Sequence, residues 1–588
     1  MKKKKEIKNL ALTEEEIATN HIVKSNKTYL IVFGIFFLTI ILLLVGSLFR
    51  TNITPDYPLV FRDANNKLMV ITKSGSGKKD ITTITDANIV YANKDIRYLL
   101  YSHNNALFLL DTTSGGEGKK LAEDITKYGF SSDDKTVYYI TKSNELHIYN
   151  RKNNADYLID SKTTDCLDIV GNYVIYDKNS NLILKNYNIG STEIISKSYK
   201  DIKLSKDEKA MLYSVANEDN TYNYYLYTFA DSNNEKVLTN ISEMLSYNTN
   251  FTKFIYTIKN KDSYNIYNNL TDTLADSDKK FVTHTEEDVK KGTITKEELL
   301  KNKEAAALVS ERNKMREYAK NYVINGYDLY YQNKETMTLL ASGINKVYYD
   351  DIDTKKVVYT KNTWDKTLDL SNYSEFEEFK TTLDNNTKNG LYYTEYTNKP
   401  SLISENLSNN INVYYGEEDA IYYTENKALY YSKITNKNAL KASLIEDNLE
   451  LDTLFTDYAN GLVYLTNATD NNSLKYIYNG KYHIINEQVY TKFIKISESQ
   501  EFIYYIKNYK DNMGTLMLYN GIRNSKVADN VSSLMYINDD LIYLTTNYDA
   551  KNETCDLYRL NGNKLTLIHE NILEWFSPVI TKQKENKS

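Results

Sequence analysis

A three-residue pattern, two apolar or aromatic residues followed by an aromatic one, recurs along this chain at a spacing near forty. Its third position falls at Phe61, Tyr101, Tyr139, Tyr176, Tyr213 and Tyr256, in steps of 40, 38, 37, 37 and 43 residues. It returns at Tyr423, Tyr464, Tyr505 and Tyr543, in steps of 41, 41 and 38. A fixed period of this length marks one supersecondary unit, repeated because no copy buries its own faces alone. Within one period "VYYIT", "LHIYN", "DYLID" and "CLDIV" are short apolar runs separated by turns of Asn, Asp, Ser and Lys. Four strands of roughly five residues, with their turns, use up about forty residues, the size of a propeller blade. The expected fold class is therefore all-β, built of four-stranded antiparallel blades.

Ten copies, or thirteen with Tyr330, Tyr359 and Tyr393, exceed the roughly 4–8 blades of one ordinary ring. Two tandem β-propellers are the simplest arrangement, at 50–280 and 325–578. Between them, 281–324 breaks the strand rhythm. Thr295 followed by Glu298 forms a capping box, and Lys296 to Tyr322 contains no Gly or Pro before Asn325-Gly326 stops the pattern. Leu300, Ala307, Leu308, Met315, Ala319 and Tyr322 approximate one helical face, so a connector helix lying on a propeller edge is expected. The stretch "WDKTLDLSNYSEFEEFKTTLDNN" reads as an irregular, partly helical excursion.

"SSDDKTVYY" at 131–139 and "SKDEKAMLY" at 205–213, with weaker copies at 248–256 and 497–505, resemble the Ser-Pro-Asp-Gly-Lys strand start of TolB-like β-propellers. Ser131, Asp133, Ser205 and Asp207 fall on that motif's polar positions, while its proline and glycine are missing throughout. The resemblance covers the repeat architecture of most of the chain. It implies a binding, scaffolding or enzyme-accessory role, and fold alone is a poor guide to which.

Tyr29 to Phe49 reads "YLIVFGIFFLTIILLLVGSLF", 21 residues without a charge. At about 1.5 Å per residue such a helix matches the roughly 30 Å hydrocarbon core. A transmembrane signal anchor is expected at 28–49, since the run is longer than a cleavable signal core. Seven lysines precede it and Arg50 follows, which predicts a cytoplasmic tail at 1–27 and everything beyond outside the membrane, ending in a polar tail at 579–588. In the tail, Thr13 and Glu16 form a second possible capping box. Seven lysines against four glutamates give the tail +3, which leaves the remainder at −9 of the total −6. No basic face for nucleic acid follows from that balance, and the expected partners are the bilayer and an extracytoplasmic protein or polysaccharide.

Chemistry-bearing motifs are scarce. No Gly-x-Ser-x-Gly elbow occurs, and "SGSGKK" at 74–79 lacks the spacing and the Ser or Thr of a phosphate loop. The six histidines, His21, His103, His147, His284, His483 and His569, include no helical metal pair, and His147 falls inside a strand. Cys166 and Cys555 stand nearly 400 positions apart and suit neither a disulfide framework nor a zinc site. Asp350, Asp351 and Asp353, and Glu417, Glu418 and Asp419, are acid clusters without the EF-hand pattern, so solvated turn acids are expected rather than calcium ligands.

The 55 tyrosines suit strands, packing a ring across the pleat with the hydroxyl left wet. The abundance of Asn, Lys, Ile and Tyr also fits the codon bias of an AT-rich genome. No catalytic, cofactor-binding or metal residue is assigned, no cofactor is expected, and the chain is read as not an enzyme. The expected function is a membrane-anchored extracytoplasmic binding or scaffold protein. The alternatives are a propeller-hosted enzyme acting on surface glycans or peptides, and the ectodomain of a transmembrane sensor.

Overall fold

The computed structural model describes residues 59–580, apart from 72–77, 83–89, 94–96, 112–117, 133, 262–263, 272–280, 364–367, 409–410, 417–418, 448, 450–454, 460, 468–471, 540, 563 and 577–578. The anchor at 28–49, the tail at 1–27 with its Thr13 capping box, and 581–588 lie outside the described residues, while Val579–Ile580 of the C-terminal tail pair in parallel with Tyr91 and Ala92. Among the described residues no helix is long and apolar enough to cross a membrane.

The chain is all-β, and its described strands form eleven successive four-stranded antiparallel meanders, an arrangement consistent with propeller blades. The third is representative: Ile125–Phe130, Thr136–Thr141, Leu146–Asn150 and Ala155–Asp160 pair in sequence order. At several junctions one strand serves two sheets. Asn233–Tyr247 pairs backward with Tyr222–Thr228 and forward with Lys253–Lys259, so the outer strand of one meander becomes the first of the next. Asn524–Asn538 does the same between the tenth and eleventh sheets.

The recurring aromatic marks the second strand of each sheet, where both faces are covered by neighbouring sheets. Leu99, Leu100 and Tyr101 are all buried, as are Ile421, Tyr422 and Tyr423. Burial on both faces replaces period-two alternation with a continuous apolar run. Each successive pair from the second sheet to the eleventh shares one buried cluster. Ile140, Leu146 and Ile148 of the third sheet, for example, pack on Ile169, Val174 and Tyr176 of the fourth.

Strand pairing runs across the helical segment. Lys253–Lys259 and Tyr327–Asn333 pair along their whole length, Lys253 opposite Asn333 and Lys259 opposite Tyr327. Residues 260–326 thus leave and re-enter one sheet, the sixth, and the helical segment 281–324 lies within that loop. The ends of the series meet. Val60–Asp63 pairs with Lys564–Phe576, bringing Phe61 opposite Trp575, and Arg62 bridges Glu574 at 2.9 Å.

Among the described residues three α-helices stand outside the sheets: α1 (Glu286–Lys290), α2 (Lys296–Asn321) and α3 (Phe376–Asn386). The Thr295 hydroxyl accepts from the Glu298 N–H at 3.1 Å, and Glu298 accepts from the Thr295 N–H at 2.7 Å, the reciprocal cap the sequence predicts. The predicted apolar face is half right. Met315 and Ala319 are fully buried, but Leu300 is 59% exposed and Leu299 is buried in its place. α3 belongs to a second excursion, 364–387, between paired strands of the seventh sheet. Met315 and Ala319 of α2 meet Phe379 and Leu383 of α3 in a small satellite core.

Candidate functional site

The four motif copies form one turn, and its residues are structural. Ser205 Oγ accepts from the Lys209 and Ala210 N–H groups at 3.1 and 3.0 Å, while the Glu208 N–H reaches the Ser205 carbonyl at 2.9 Å. Ser497 makes the same set with Glu501, Phe502 and Gln500, and Asn248 Oδ1 substitutes for the hydroxyl toward Thr252 and Lys253. Ser131 accepts from the Thr136 N–H at 3.0 Å. The position of the family's glycine is left-handed in every copy: Asp134 φ 60, Glu208 φ 56, Phe251 φ 54 and Gln500 φ 56. Asp207 closes the Ser205 hydroxyl and sits below the usual carboxylate range because of that bond. Asp133 lies outside the described residues.

The histidines are spent on separate contacts. His147 Nδ1 lies 3.0 Å from Asp156 and its ring stacks on Tyr139 with centroids 5.0 Å apart. His284 stands 3.7 Å from Asp288 beside α1, His483 meets the Tyr519 hydroxyl at 3.1 Å, His103 meets Asn104 at 2.8 Å, and His569 packs edge-on to Phe61. The acids disperse as well. Asp351 anchors its turn through the Asp353 and Thr354 N–H groups, Asp353 pairs with Lys253 at 3.0 Å, and Asp419 pairs with Lys356 and the Tyr415 hydroxyl. Burial raises the carboxyl pKa of Asp350, whereas Lys356 and Tyr415 lower that of Asp419. Glu417, Glu418 and the 74–77 loop lie outside the described residues. Among the described residues no three His, Cys, Asp or Glu side chains gather as a metal site would need. Cys166 is buried in the fourth sheet and Cys555 half-buried in the eleventh; both thiols are free, and burial raises both.

A cleft of about 410 Å³ is lined by residues of the second and third sheets. Leu109 and Leu110 supply its apolar wall from Ala106–Asp111, and Tyr98 enters from Tyr98–His103. Lys119, the first residue of Lys119–Ala122, lays its ammonium 4.6 Å from the Tyr149 ring centroid and donates to that hydroxyl at 2.8 Å. The same hydroxyl donates to Asn154 at 2.7 Å. Arg151, in the turn after Leu146–Asn150, sits 4.1 Å over Tyr98, and its buried Nε has no hydrogen-bond partner. Arg97 flanks the other cations, but Asp111 neutralises it at 2.9 Å. The close approach of the second sheet requires Gly118, where a Cβ would stand 2.9 Å from the Leu109 carbonyl oxygen.

Two other hollows are less directed. One of about 430 Å³ lies against α2 at Tyr318, Tyr322 and Phe376, and one of about 240 Å³ borders Cys555 and Trp575. Only the first gathers several cations among aromatic rings, and sequence reading missed it because its residues come from four separate strands and turns. One signal was visible: in a chain of 64 lysines, two of only eight arginines, Arg97 and Arg151, stand here.

No family model matches the chain, and no curated protein matches it. Among solved structures it is similar to a eukaryotic initiation factor, at 9% identity and a TM-score of 0.36, over 88% of this chain and 96% of that one. TolB from Acinetobacter baumannii aligns at 14% identity and a TM-score of 0.22, over 35% of this chain and 58% of TolB. Dipeptidyl peptidase 4 of Porphyromonas gingivalis aligns at 10% identity and a TM-score of 0.32, over 83% of this chain and 60% of the peptidase. The reading of this chain as not an enzyme is corrected here. A peptidase stands among the structures it aligns with, so missing sequence motifs exclude no catalysis, and at such identity the likeness establishes none.

Proposed function

We propose that this chain is a β-propeller binding module held outside the cell by its apolar segment at 28–49, with residues 1–27 in the cytoplasm and an envelope protein or polysaccharide as ligand. The observation that carries the binding reading is the cleft of the second and third sheets. Cations and tyrosines converge there on a frame whose turns are closed by repeated side-chain hydrogen bonds. A rigid stack of sheets that presents polar groups around an apolar wall suits ligand recognition. The pairing of Val60–Asp63 with Lys564–Phe576 supports a closed series of blades, which would hold such a wall at fixed geometry. The uncharged run Tyr29–Phe49, with lysines crowded before it, supports the topology.

The full chain, solubilised in detergent and immobilised by an N-terminal tag, should retain a protein or polysaccharide from extracts of its own cell envelope. Recovery of nothing above a tag-only control would count against the binding reading. Protease added to intact cells should digest the sheets and spare the tail at 1–27; full protection of the sheets would overturn the topology.

A further inference from the structure

We infer that the cleft between the second and third sheets takes an anionic ligand: a carboxylate or phosphate carried on a body of about one or two sugar-sized rings. This rests on the binding reading above and adds the chemistry of the bound group.

The argument begins with charge. Two cationic side chains, Lys119 and Arg151, and one carboxylate, Asp111, line the cleft, with Arg97 beside it. Arg97 and Asp111 cancel one another at 2.9 Å. Lys119 and Arg151 remain, and among the described residues neither has an acidic partner. Elsewhere this chain pairs lysines freely with nearby acids, as in Lys178 with Asp160 and Lys526 with Asp529. Two cations left unpaired in one hollow set a positive potential there, strengthened by the apolar wall of Leu109 and Leu110.

Geometry then selects the ligand. The Tyr98 ring holds the Arg151 guanidinium at 4.1 Å, and Tyr149 holds the Lys119 ammonium at 4.6 Å and 2.8 Å. Both cations are positioned before any ligand arrives, which cuts the ordering cost of binding. The buried Nε of Arg151 lacks an acceptor, and a guanidinium fork matches the paired oxygens of carboxylate or phosphate. The hollow is too large for a bare ion. At about 410 Å³ it falls within the range of small-molecule pockets. The Asn154 side chain and the Leu wall are left to meet the neutral part of the ligand.

The full chain in detergent is titrated calorimetrically with glucuronate, glucose 6-phosphate, glucose and inorganic phosphate. At least one of the two sugar anions should bind, more tightly than glucose and than inorganic phosphate, and which one binds identifies the anion. Lys119→Gln and Arg151→Gln should each weaken that binding at least tenfold, while Lys437→Gln, whose lysine pairs with Glu395 elsewhere, should leave it unchanged. Arg151→Gln also removes the contact with Tyr98, so Lys119→Gln, on an exposed side chain, decides the matter if melting of the arginine variant shifts. Equal binding of glucose, binding unchanged in a natively melting Lys119→Gln, or no binding of either anion to a folded chain would each overturn the inference. If envelope extract still yields a partner in any of those cases, the binding reading stands and only the anion chemistry falls. If the extract also yields nothing, both fall.

Discussion

A tyrosine at the recurring position does two jobs that phenylalanine could not. Its ring fills the space between sheets, and its hydroxyl reaches a polar side chain on a later strand or on the preceding sheet. Tyr139 donates to Asp156, Tyr213 to Asn234, Tyr256 to Gln332 and Tyr505 to Asn524, at 2.7 to 3.0 Å. Tyr176 reaches back to Asp160 of the preceding sheet at 2.7 Å, and Lys178 pairs with the same carboxylate at 2.6 Å. Burial alone would raise the pKa of Asp160, but Lys178 and Tyr176 outweigh it and hold the carboxyl below its ordinary value. A carboxyl lowered in the folded state contributes stability above its unfolded pKa of about 3.9, and that contribution is lost as pH falls through the folded value. Asp160→Asn should therefore melt below the parent at pH 7, with the gap closing as pH drops from about 5 to 3. A constant gap across that window would show that the charge plays no part. The motif serine makes a second residue-scale test. Ser205→Ala removes a buried hydroxyl that accepts from the Lys209 and Ala210 N–H groups, an expected loss of about 1–3 kcal/mol readable in urea denaturation. Asp207→Ala, at an exposed rim, should cost much less.

At the scale of elements, the strands were legible and the insertions only partly so. A second strand covered on both faces must be apolar without alternation, and that requirement wrote the forty-residue marker into the sequence. The marker also belongs to Tyr359 of the seventh sheet, while Tyr330 and Tyr393 sit on third strands. Sequence reading could not separate these, because two excursions, 260–326 and 364–387, stretch the steps on either side of Tyr359. With the excursions removed, both steps return to about forty. Long hairpin insertions cost little closure entropy, since that cost grows only with the logarithm of length; the period is therefore free to break there. The two insertions then supply each other's core, which no local pattern announces. Leu300 was assigned inward because helical spacing fixes a face only to within a residue, whereas the neighbour that covers α2 is α3, some 60 positions on. Phe379→Ala, removing a fully buried ring from this satellite, should cost about 3–5 kcal/mol locally. Hydrogen exchange should speed up across α2 and α3 while the second strands stay protected. Equal loss of protection in the sheets would mean that the insertions and the sheets unfold as one unit.

For the whole molecule, the decisive contact is the one between its ends. The other sheets are meanders of strands consecutive in the chain, two of them interrupted by excursions, but the first takes a strand from residues near 575 and places it beside residues near 60. Such a pairing is not encoded locally: the sequence shows two unremarkable strands some 500 positions apart. Its physical reason is the edge. Without Lys564–Phe576, Val60–Asp63 would present unpaired backbone groups beside the buried Val60 and Phe61, an invitation to aggregation. The pairing removes that edge at the cost of closing a very long loop, and a covalent link should recover part of the closure entropy. Arg62 and Glu574 face one another as a Cα pair, so Arg62→Cys with Glu574→Cys should join on mild oxidation, with a mobility shift reversed by reductant. Cys166 is buried and Cys555 half-buried, and the parent chain serves as the control for them. The oxidised variant should gain about 2–4 kcal/mol over its reduced form, because the unfolded ensemble loses its largest loop. Failure to cross-link in a folded chain would open the series of sheets at this point, and the cleft's rigid frame would then need another explanation.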